Sequence, residues 1–204
     1  MKIICIGRNY NDHISELGNQ KPEAPVIFLK PDSSVLPKNQ AFFIPEFSNN
    51  IHYELELVVK INRLGKHIDQ KFAHKYYQEI GLGIDFTARD LQQQLKQQGL
   101  PWEKAKGFDG SCVLGNQWLD KSQFEDLQQL NFSLLKNNQT VQQGNTSQML
   151  FSLDEIIANV SQYFTLKIGD LIFTGTPAGV GPVEVNDHLK ASLEGQQLID
   201  LRIK

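Results

Sequence analysis

The sequence predicts an α+β fold that is mainly β. Short apolar runs recur along the chain, each bounded by Gly, Pro, Asn or Asp. Only a few segments carry helical spacing, and two alternating stretches fold back on themselves, one around Asn137-Asn138 and one around Glu194-Gly195. At 204 residues the chain suits one well-packed domain, residues 1–204, without repeats or linkers.

Residues 3–7 read as a first strand. Asn9 to Leu17 reads as a short helix closed by Gly18, with Asn and Asp available to cap its start. The polar stretch 19–25 lacks periodicity, so loop 18–25 together with the helix bearing His13 and Glu16 is a candidate lid. Val26-Ile27-Phe28-Leu29 reads as a short buried strand. Phe42 to Pro45 reads as another, followed by an acidic strand over 52–61 and a further strand over 79–85.

Thr87-Ala88-Arg89-Asp90 resembles a capping box that opens a Gln-rich, mostly solvated helix running to about Gln98, where Gly99 and Pro101 stop it. Ser152-Leu153-Asp154-Glu155 caps an amphipathic helix that buries Ile156, Ile157, Val160 and Phe164. A strand at Leu171-Ile172-Phe173 leads into the Gly/Pro-rich loop Thr174 to Pro182, and residues 187–203 close the chain as a hairpin.

Composition excludes several function classes. Forty percent hydrophobic and 21% charged residues are ordinary for a soluble domain, with no apolar run near the roughly 18 residues of a membrane span. A net charge of −3 without a basic run argues against nucleic acid as the partner and leaves a small molecule. Cys5 and Cys112 are too few for a disulfide framework and lack metal-ligand spacing, so a cytoplasmic location and a structural role for both are expected. The N-terminus carries no signal-peptide pattern.

The segment Ile51-His52-Tyr53-Glu54-Leu55-Glu56-Leu57-Val58-Val59 is the most informative. On a strand, Glu54 and Glu56 project to one side, while Tyr53, Leu55, Leu57 and Val59 take the other. Such a pair suits an ordinary strand with one wet face, or a site where a basic group or a cation offsets two neighbouring like charges. Asp85 lies where a strand end meets a helix start, a usual place for sites. Three carboxylates would form an all-oxygen set suited to Mg²⁺, with Mn²⁺ as a second possibility, rather than Zn²⁺.

His13 and Glu16 fall three apart on a helix, so they share a face. A carboxylate beside an imidazole fixes its tautomer and raises its basicity, and a solvated polar face is the competing explanation. Lys106 follows the Gln-rich helix and precedes a Gly turn. The loop from Thr174 to Gly181 offers backbone N–H groups and the Thr174 and Thr176 hydroxyls to a carboxylate, but it lacks the Lys of a phosphate loop.

Seven ordered motifs together resemble the fumarylacetoacetate hydrolase superfamily, in its small acylpyruvase and oxaloacetate decarboxylase-like branch. They are Gly7-Arg8-Asn9-Tyr10-Asn11-Asp12-His13, Phe28-Leu29-Lys30-Pro31, His52-Tyr53-Glu54-Leu55-Glu56-Leu57 and Asp85-Phe86-Thr87-Ala88-Arg89-Asp90-Leu91-Gln92, then Lys106-Gly107-Phe108-Asp109, Gln143-Gly144-Asn145-Thr146 and Gly169 to Pro177. The resemblance implies a mixed β-sheet roll of that family's C-terminal type, with a few short helices, assembled as a homodimer.

It also implies a divalent metal on Glu54, Glu56 and Asp85, and a water-activating dyad of His13 and Glu16, with Lys106 stabilising charge. Substrate contacts would come from Arg89, Gln92, Thr176 and Gly175. The departures are Val113 and Asn116, which replace prolines common after the Phe-Asp motif, in what reads as a turn. The activity this implies is metal-dependent cleavage of acylpyruvates to pyruvate and a carboxylic acid, with oxaloacetate decarboxylation through the same enolate. Isomerisation or tautomerisation of unsaturated 2-oxo dicarboxylates, and a non-catalytic metal-binding module, are the alternatives.

Overall fold

The computed structural model describes residues 1–16, 18 and 20–204; Leu17 at the end of the expected first helix and Asn19 in the expected lid loop lie outside the described residues. The strands in chain order are β1 (Ile3–Gly7), β2 (Val26–Lys30), β3 (Ile51–Tyr53), β4 (Leu55–Ile61), β5 (Tyr77–Asp85), β6 (Thr87–Ala88) and β7 (Cys112–Leu114). They continue as β8 (Leu119–Asp120), β9 (Asn131–Lys136), β10 (Gln139–Asn145), β11 (Leu171–Phe173), β12 (Gly181–Pro182), β13 (His188–Leu193) and β14 (Gln196–Arg202). The helices are α1 (Asn11–Glu16), α2 (Gln70–Ala73), α3 (Arg89–Gln97), α4 (Glu103–Lys106) and α5 (Leu153–Tyr163).

The expected mainly β architecture with few helices is what forms. One mixed sheet runs β2-β1-β11-β4-β5-β7, with β8 joined to the far end of β5. Its β1–β11 pair is parallel and the others are antiparallel. A second sheet runs β10-β9-β13-β14 and a small third one β12-β3-β6.

Both hairpin signals work as their residues require. Asn137 and Asn138 take positive φ (54° and 65°), and Glu194-Gly195 does so at 47° and 78°, which matches the twist of the flanking strands. Ser152 and Glu155 form the reciprocal capping box of α5, whose Ile156, Ile157 and Val160 are buried.

β4 is covered on both faces. Leu55, Leu57, Val59 and Ile61 join the main core with Leu82, Ile84 and the α5 stripe. On the other face Val58 packs with Ile3, Cys5, Cys112, Leu171 and Phe173 in a smaller core. That accounts for both cysteines, which are free and buried. Burial pushes both thiols up, Cys112 to about 12, so neither behaves as a thiolate.

Several expectations need correction. The acidic strand is broken at Glu54: β3 pairs with β6 and β12, whereas β4 pairs with β11 and β5, so the chain changes sheets there. Phe42 to Pro45 forms no strand. Phe42 makes a single parallel bridge to Ile203, with Phe42 N–H donating to the Arg202 carbonyl at 3.0 Å and Ile44 N–H to the Lys204 carbonyl at 2.8 Å. β2 is half-buried because it forms the outer edge of its sheet.

Thr87 does not cap α3. It pairs in β6, Ala88 takes the cap position without a side-chain bond, and the Thr87 hydroxyl accepts from Lys106 Nζ at 2.6 Å. Val113 lies in β7 opposite Ile84 rather than in a turn. Asn116 N–H donates to the Leu198 carbonyl at 2.8 Å, a bond that a proline there could not make.

Candidate metal and active site

The site grows from the sheet switch at Glu54. Asp85 N–H donates to the Glu54 carbonyl at 2.9 Å, and Gly83 pairs with Glu56, so the register of β4 on β5 sets the carboxylates at one sheet end. Glu54, Glu56 and Asp85 each offer an oxygen within 4.8 Å of the others. They are only 5%, 2% and 0% exposed, so the wet-face explanation of the pair does not hold.

Buried like charges need partners. Glu54 Oε2 and Asp85 Oδ2 each accept from Lys106 Nζ at 2.8 Å, and Glu54 Oε1 pairs with Arg89. Burial alone would raise the Glu54 carboxyl, yet the Lys106 ammonium and the Arg89 guanidinium hold it well below the usual range. Glu56 has no ion pair with a cation among the described residues. It accepts from Gly175 N–H at 2.7 Å, and burial with the neighbouring Asp85 and Glu54 charges pushes its carboxyl well up. Despite burial, Asp85 and Glu54 hold Lys106 above its ordinary value, as a firm cation.

Lys30 is a partner that the sequence reasoning did not place in the site. Its ammonium lies 2.7 Å from Asp85 Oδ1 and donates to the Lys106 carbonyl and to Ser111 Oγ at 3.0 Å. Asp85 Oδ1 is buried, with that ammonium as its ion-pair partner. The signals available for Lys30 were a Lys at a strand end before Pro31 and its place in the Phe28-Leu29-Lys30-Pro31 motif of the resemblance.

The remaining expected residues also converge. His13 Nδ1 lies 3.1 Å from Glu16 Oε2, and Glu16 Oε1 accepts from Gly179 N–H at 3.0 Å, tying α1 to the Gly/Pro loop. Arg89 donates to Gln92 Oε1 at 2.7 Å, so both are held by the protein's own groups. Thr176 Oγ1 accepts from Gln142 Nε2 at 2.9 Å, and Gln142 Oε1 accepts from Leu55 N–H; Gln142 was not foreseen. Asn9, expected as a helix residue, instead joins the ends of β1 and β11 by donating to the Thr174 carbonyl at 2.8 Å.

The loop cradle differs from expectation. Thr174 Oγ1 turns inward to the Leu57 carbonyl, and the N–H groups of Gly175 and Gly179 already serve Glu56 and Glu16. Gly175 has φ +99°, and a Cβ there would stand 2.7 Å from Asn9 Cβ, so this backbone approach requires glycine.

Ile6, Gly7, Arg8, His13, Phe28, Arg89, Gln92, Lys96, Trp102, Lys106, Thr176 and the three carboxylates line a cavity of about 50 Å³. It has room for an ion and a water, so a larger ligand enters only when rim side chains or α1 move. The donor set fits a hard divalent cation: the three carboxylates converge, and Glu56 has no ion pair among the described residues. Lys106 shares two of those carboxylates, so ion and ammonium divide the same oxygens. No helix among the described residues is long and apolar enough to cross a membrane.

The description "fumarylacetoacetate (FAA) hydrolase C-terminal" matches residues 2–203. The chain is 40% identical over 202 residues to the mitochondrial oxaloacetate tautomerase FAHD1 of Mus musculus, covering 99% of this chain and 90% of that protein. Against the mitochondrial oxaloacetate decarboxylase of Dictyostelium discoideum it is 40% identical over 195 residues, 95% of this chain and 89% of that one. A crystal structure of fumarylpyruvate hydrolase from Pseudomonas aeruginosa in complex with Mn²⁺ and pyruvate superposes with a TM-score of 0.93. Identity is 33%, covering 100% of this chain and 89% of that one.

Proposed function

The chain belongs to the fumarylacetoacetate hydrolase family, and from that membership we propose that it is a divalent-metal-dependent enzyme acting on small 2-oxo acids through an enolate. The observation that carries this reading is the buried carboxylate triad facing the same cavity as His13, whose Nδ1 lies against Glu16. Glu54, Glu56 and Asp85 would hold Mg²⁺ or Mn²⁺. When bound, such an ion supplies positive charge that lowers the energy of an enolate forming on a chelating 2-oxo acid.

The protein's own groups would do the rest. Glu16 on Nδ1 orients the imidazole, leaving Nε2 as the ring nitrogen available to accept a proton. From C3 of oxaloacetate, that proton transfer begins keto–enol exchange through the enolate of oxaloacetate itself; decarboxylation instead breaks the C3–C4 bond, releasing CO₂ and leaving the enolate of pyruvate, the same one that acylpyruvate cleavage gives. From a water, proton transfer to Nε2 begins attack on the distal carbonyl of an acylpyruvate, giving pyruvate and a carboxylic acid. Lys106, held as a cation, adds charge stabilisation, while Arg89, Gln92, Thr176 and the backbone of Gly175 set the substrate's position.

Charge balance puts oxaloacetate first. Three buried carboxylates face Lys30, Lys106 and Arg89, so adding a dication leaves two positive charges for a dianionic substrate to neutralise. The names of the relatives at 40% identity favour the same order. Acylpyruvate cleavage is the second reading, favoured by the anchored His13–Glu16 pair. A homodimer in the cytoplasm, built from one domain whose α1 segment closes over the cavity, completes the proposal.

The test is incubation with oxaloacetate, acetylpyruvate and an unsaturated 2-oxo dicarboxylate, with Mn²⁺ or with EDTA. Products are identified by mass and C3 proton exchange by NMR. Metal-dependent exchange or CO₂ release from oxaloacetate is expected. Identical outcomes with Mn²⁺ and EDTA for every compound would remove the reading.

A further inference from the structure

Gln142 lies on β10 of the second sheet, away from the strands that carry the carboxylates, yet its side chain reaches the site and is only 1% exposed. The ladder between β9 and β10 slips just before it. Thr140 pairs with Leu135 and Gln142 with Leu134, so Val141 is an extra residue. A bulge of that kind re-aims the side chains beside it, and bulges gather next to active sites. A buried primary amide is costly unless its hydrogen-bonding groups are met.

Three partners meet this one. Oε1 accepts from Leu55 N–H at 2.9 Å, while Nε2 donates to the Pro177 carbonyl at 3.0 Å and to Thr176 Oγ1 at 2.9 Å. A backbone N–H can only donate and a carbonyl can only accept, so Leu55 and Pro177 fix which way round the amide stands. Nε2 therefore presents a proton to Thr176, whose hydroxyl must receive it and direct its own proton elsewhere. Among the described residues the acceptor for that proton is the Pro177 carbonyl. It stands at 3.5 Å, well beyond the roughly 2.8 Å usual for an O–H donor, and already serves Gln142. Thr176 is buried and lines the cavity that holds Glu54, Glu56, Asp85 and Lys106, so its proton is left for an oxygen inside that cavity.

We infer that Gln142 is a positioning residue: it holds the Thr176 hydroxyl as a donor to an oxygen of the oxo acid bound in the cavity, and keeps that hydroxyl from turning back on its own loop. The inference rests on the 2-oxo acid reading of the site. Gln142 is not among the side chains that line the cavity, so its effect on a ligand runs through Thr176. Its anchor, Leu55 N–H, directly follows Glu54, which sets the hydroxyl in the same frame as the carboxylate triad.

The experiment is a double-mutant cycle that combines Gln142→Met, which keeps most of the volume without the amide, with Thr176→Val and with Thr176→Ser. Calorimetry in Mn²⁺ follows binding of pyruvate and of oxalate, a planar stand-in for the pyruvate enolate, with Mn²⁺ affinity and Tm measured alongside. Thr176→Val should weaken oxalate binding about 10- to 100-fold, and Gln142→Met about 3- to 10-fold. With Thr176→Val in place, Gln142→Met should add less than twofold; with Thr176→Ser, which keeps a hydroxyl, its effect should return. Gln142→Met should lower Tm in every background, because Leu55 N–H loses its partner in each, while Mn²⁺ affinity stays within threefold.

Equal loss from Gln142→Met with and without the Thr176 hydroxyl, no loss in the parent background, or Mn²⁺ affinity lost with the amide would overturn the inference and leave Gln142 a brace of the fold. If Gln142→Met does not fold, Gln142→Glu decides, because it keeps an acceptor for Leu55 N–H and presents a second acceptor where Thr176 otherwise meets a donor. Its penalty on oxalate binding should be larger with Thr176 than with Thr176→Val, and equal penalties would end the inference. A parent that bound neither pyruvate nor oxalate would remove the 2-oxo acid reading and this inference with it. A parent that bound both, with additive variants, would remove the inference alone.

Discussion

Replacing Lys106 by Met removes the ammonium that two buried carboxylates share while keeping most of the apolar stem. Lys106 Nζ is 2.8 Å from Glu54 Oε2, 2.8 Å from Asp85 Oδ2 and 2.6 Å from Thr87 Oγ1, and it lies 5.2 Å from the Phe28 ring centroid. Breaking a buried ion pair by removing one partner costs about 3–5 kcal/mol, because the other charge stays desolvated. Lys30 remains on Asp85 and Arg89 on Glu54, which places this case near the lower end, at about 3 kcal/mol.

For a chain of this length, that corresponds to a Tm lowered by roughly 6–12 °C, at about 2–4 °C per kcal/mol. A divalent ion should then stabilise the variant more than the parent, since it meets no competing ammonium. At a hundred times its Kd, an ion contributes about 2.7 kcal/mol to whichever form binds it. Thermal unfolding of both proteins in EDTA and in Mn²⁺ checks this, with calorimetric Mn²⁺ affinity measured alongside. A variant within about 1 kcal/mol of the parent in EDTA, or one with weakened Mn²⁺ binding, would refute the assignment of Lys106 as the charge partner of the triad.

Three further outcomes are expected. His13→Ala should lower acylpyruvate or oxaloacetate turnover by about 10²- to 10⁴-fold while Mn²⁺ affinity by calorimetry stays within threefold, since His13 is a general base and not a ligand in this account. Gly83→Ala places a Cβ 2.5 Å from Phe173 Cε1 and 2.9 Å from the Val113 carbonyl, directly opposite Glu56 in the sheet. Overpacking of that kind costs about 1–3 kcal/mol, readable as a lower urea midpoint with an unchanged slope. Asp170 accepts from the backbone N–H groups of Lys2 and Lys167, both at 2.8 Å, and pairs with Lys2 Nζ at 2.5 Å. Burial opposes its ionisation, but these bonds hold its carboxyl below the usual range, so its contribution is present above about pH 4 and is lost as pH falls through the folded value. Asp170→Asn should therefore cost about 1–2 kcal/mol at neutral pH, with parent and variant converging in equilibrium unfolding once pH falls below the folded value.

Local pattern carried a large share of the fold. Alternation and turn chemistry marked β9–β10 around Asn137-Asn138 and β13–β14 around Glu194-Gly195, and the Ser152/Glu155 box marked the start of α5, because each depends on residues a few positions apart. β7, β8, α2 and α4 were not foreseen. They span two to four residues each, too short for a periodic pattern, and the two strands form because the longer β5 offers them a ladder.

By itself the sequence determined the chemistry available: an E-x-E pair, an aspartate at a strand end, a His-x-x-Glu helix turn, and a run of motifs that resembles one family. Tertiary structure alone decided how those charges are balanced. Lys30, Arg89 and Lys106 come from three separate elements to meet carboxylates between 21 and 55 residues away, and the hydroxyl of Thr87 is drawn from a helix cap to an ammonium. The physical reason is desolvation. Whether a carboxylate faces water or requires a cation depends on what packs over it, and the second apolar face of β4 that seals Glu56 is assembled from β1, β7 and β11, far apart in the chain.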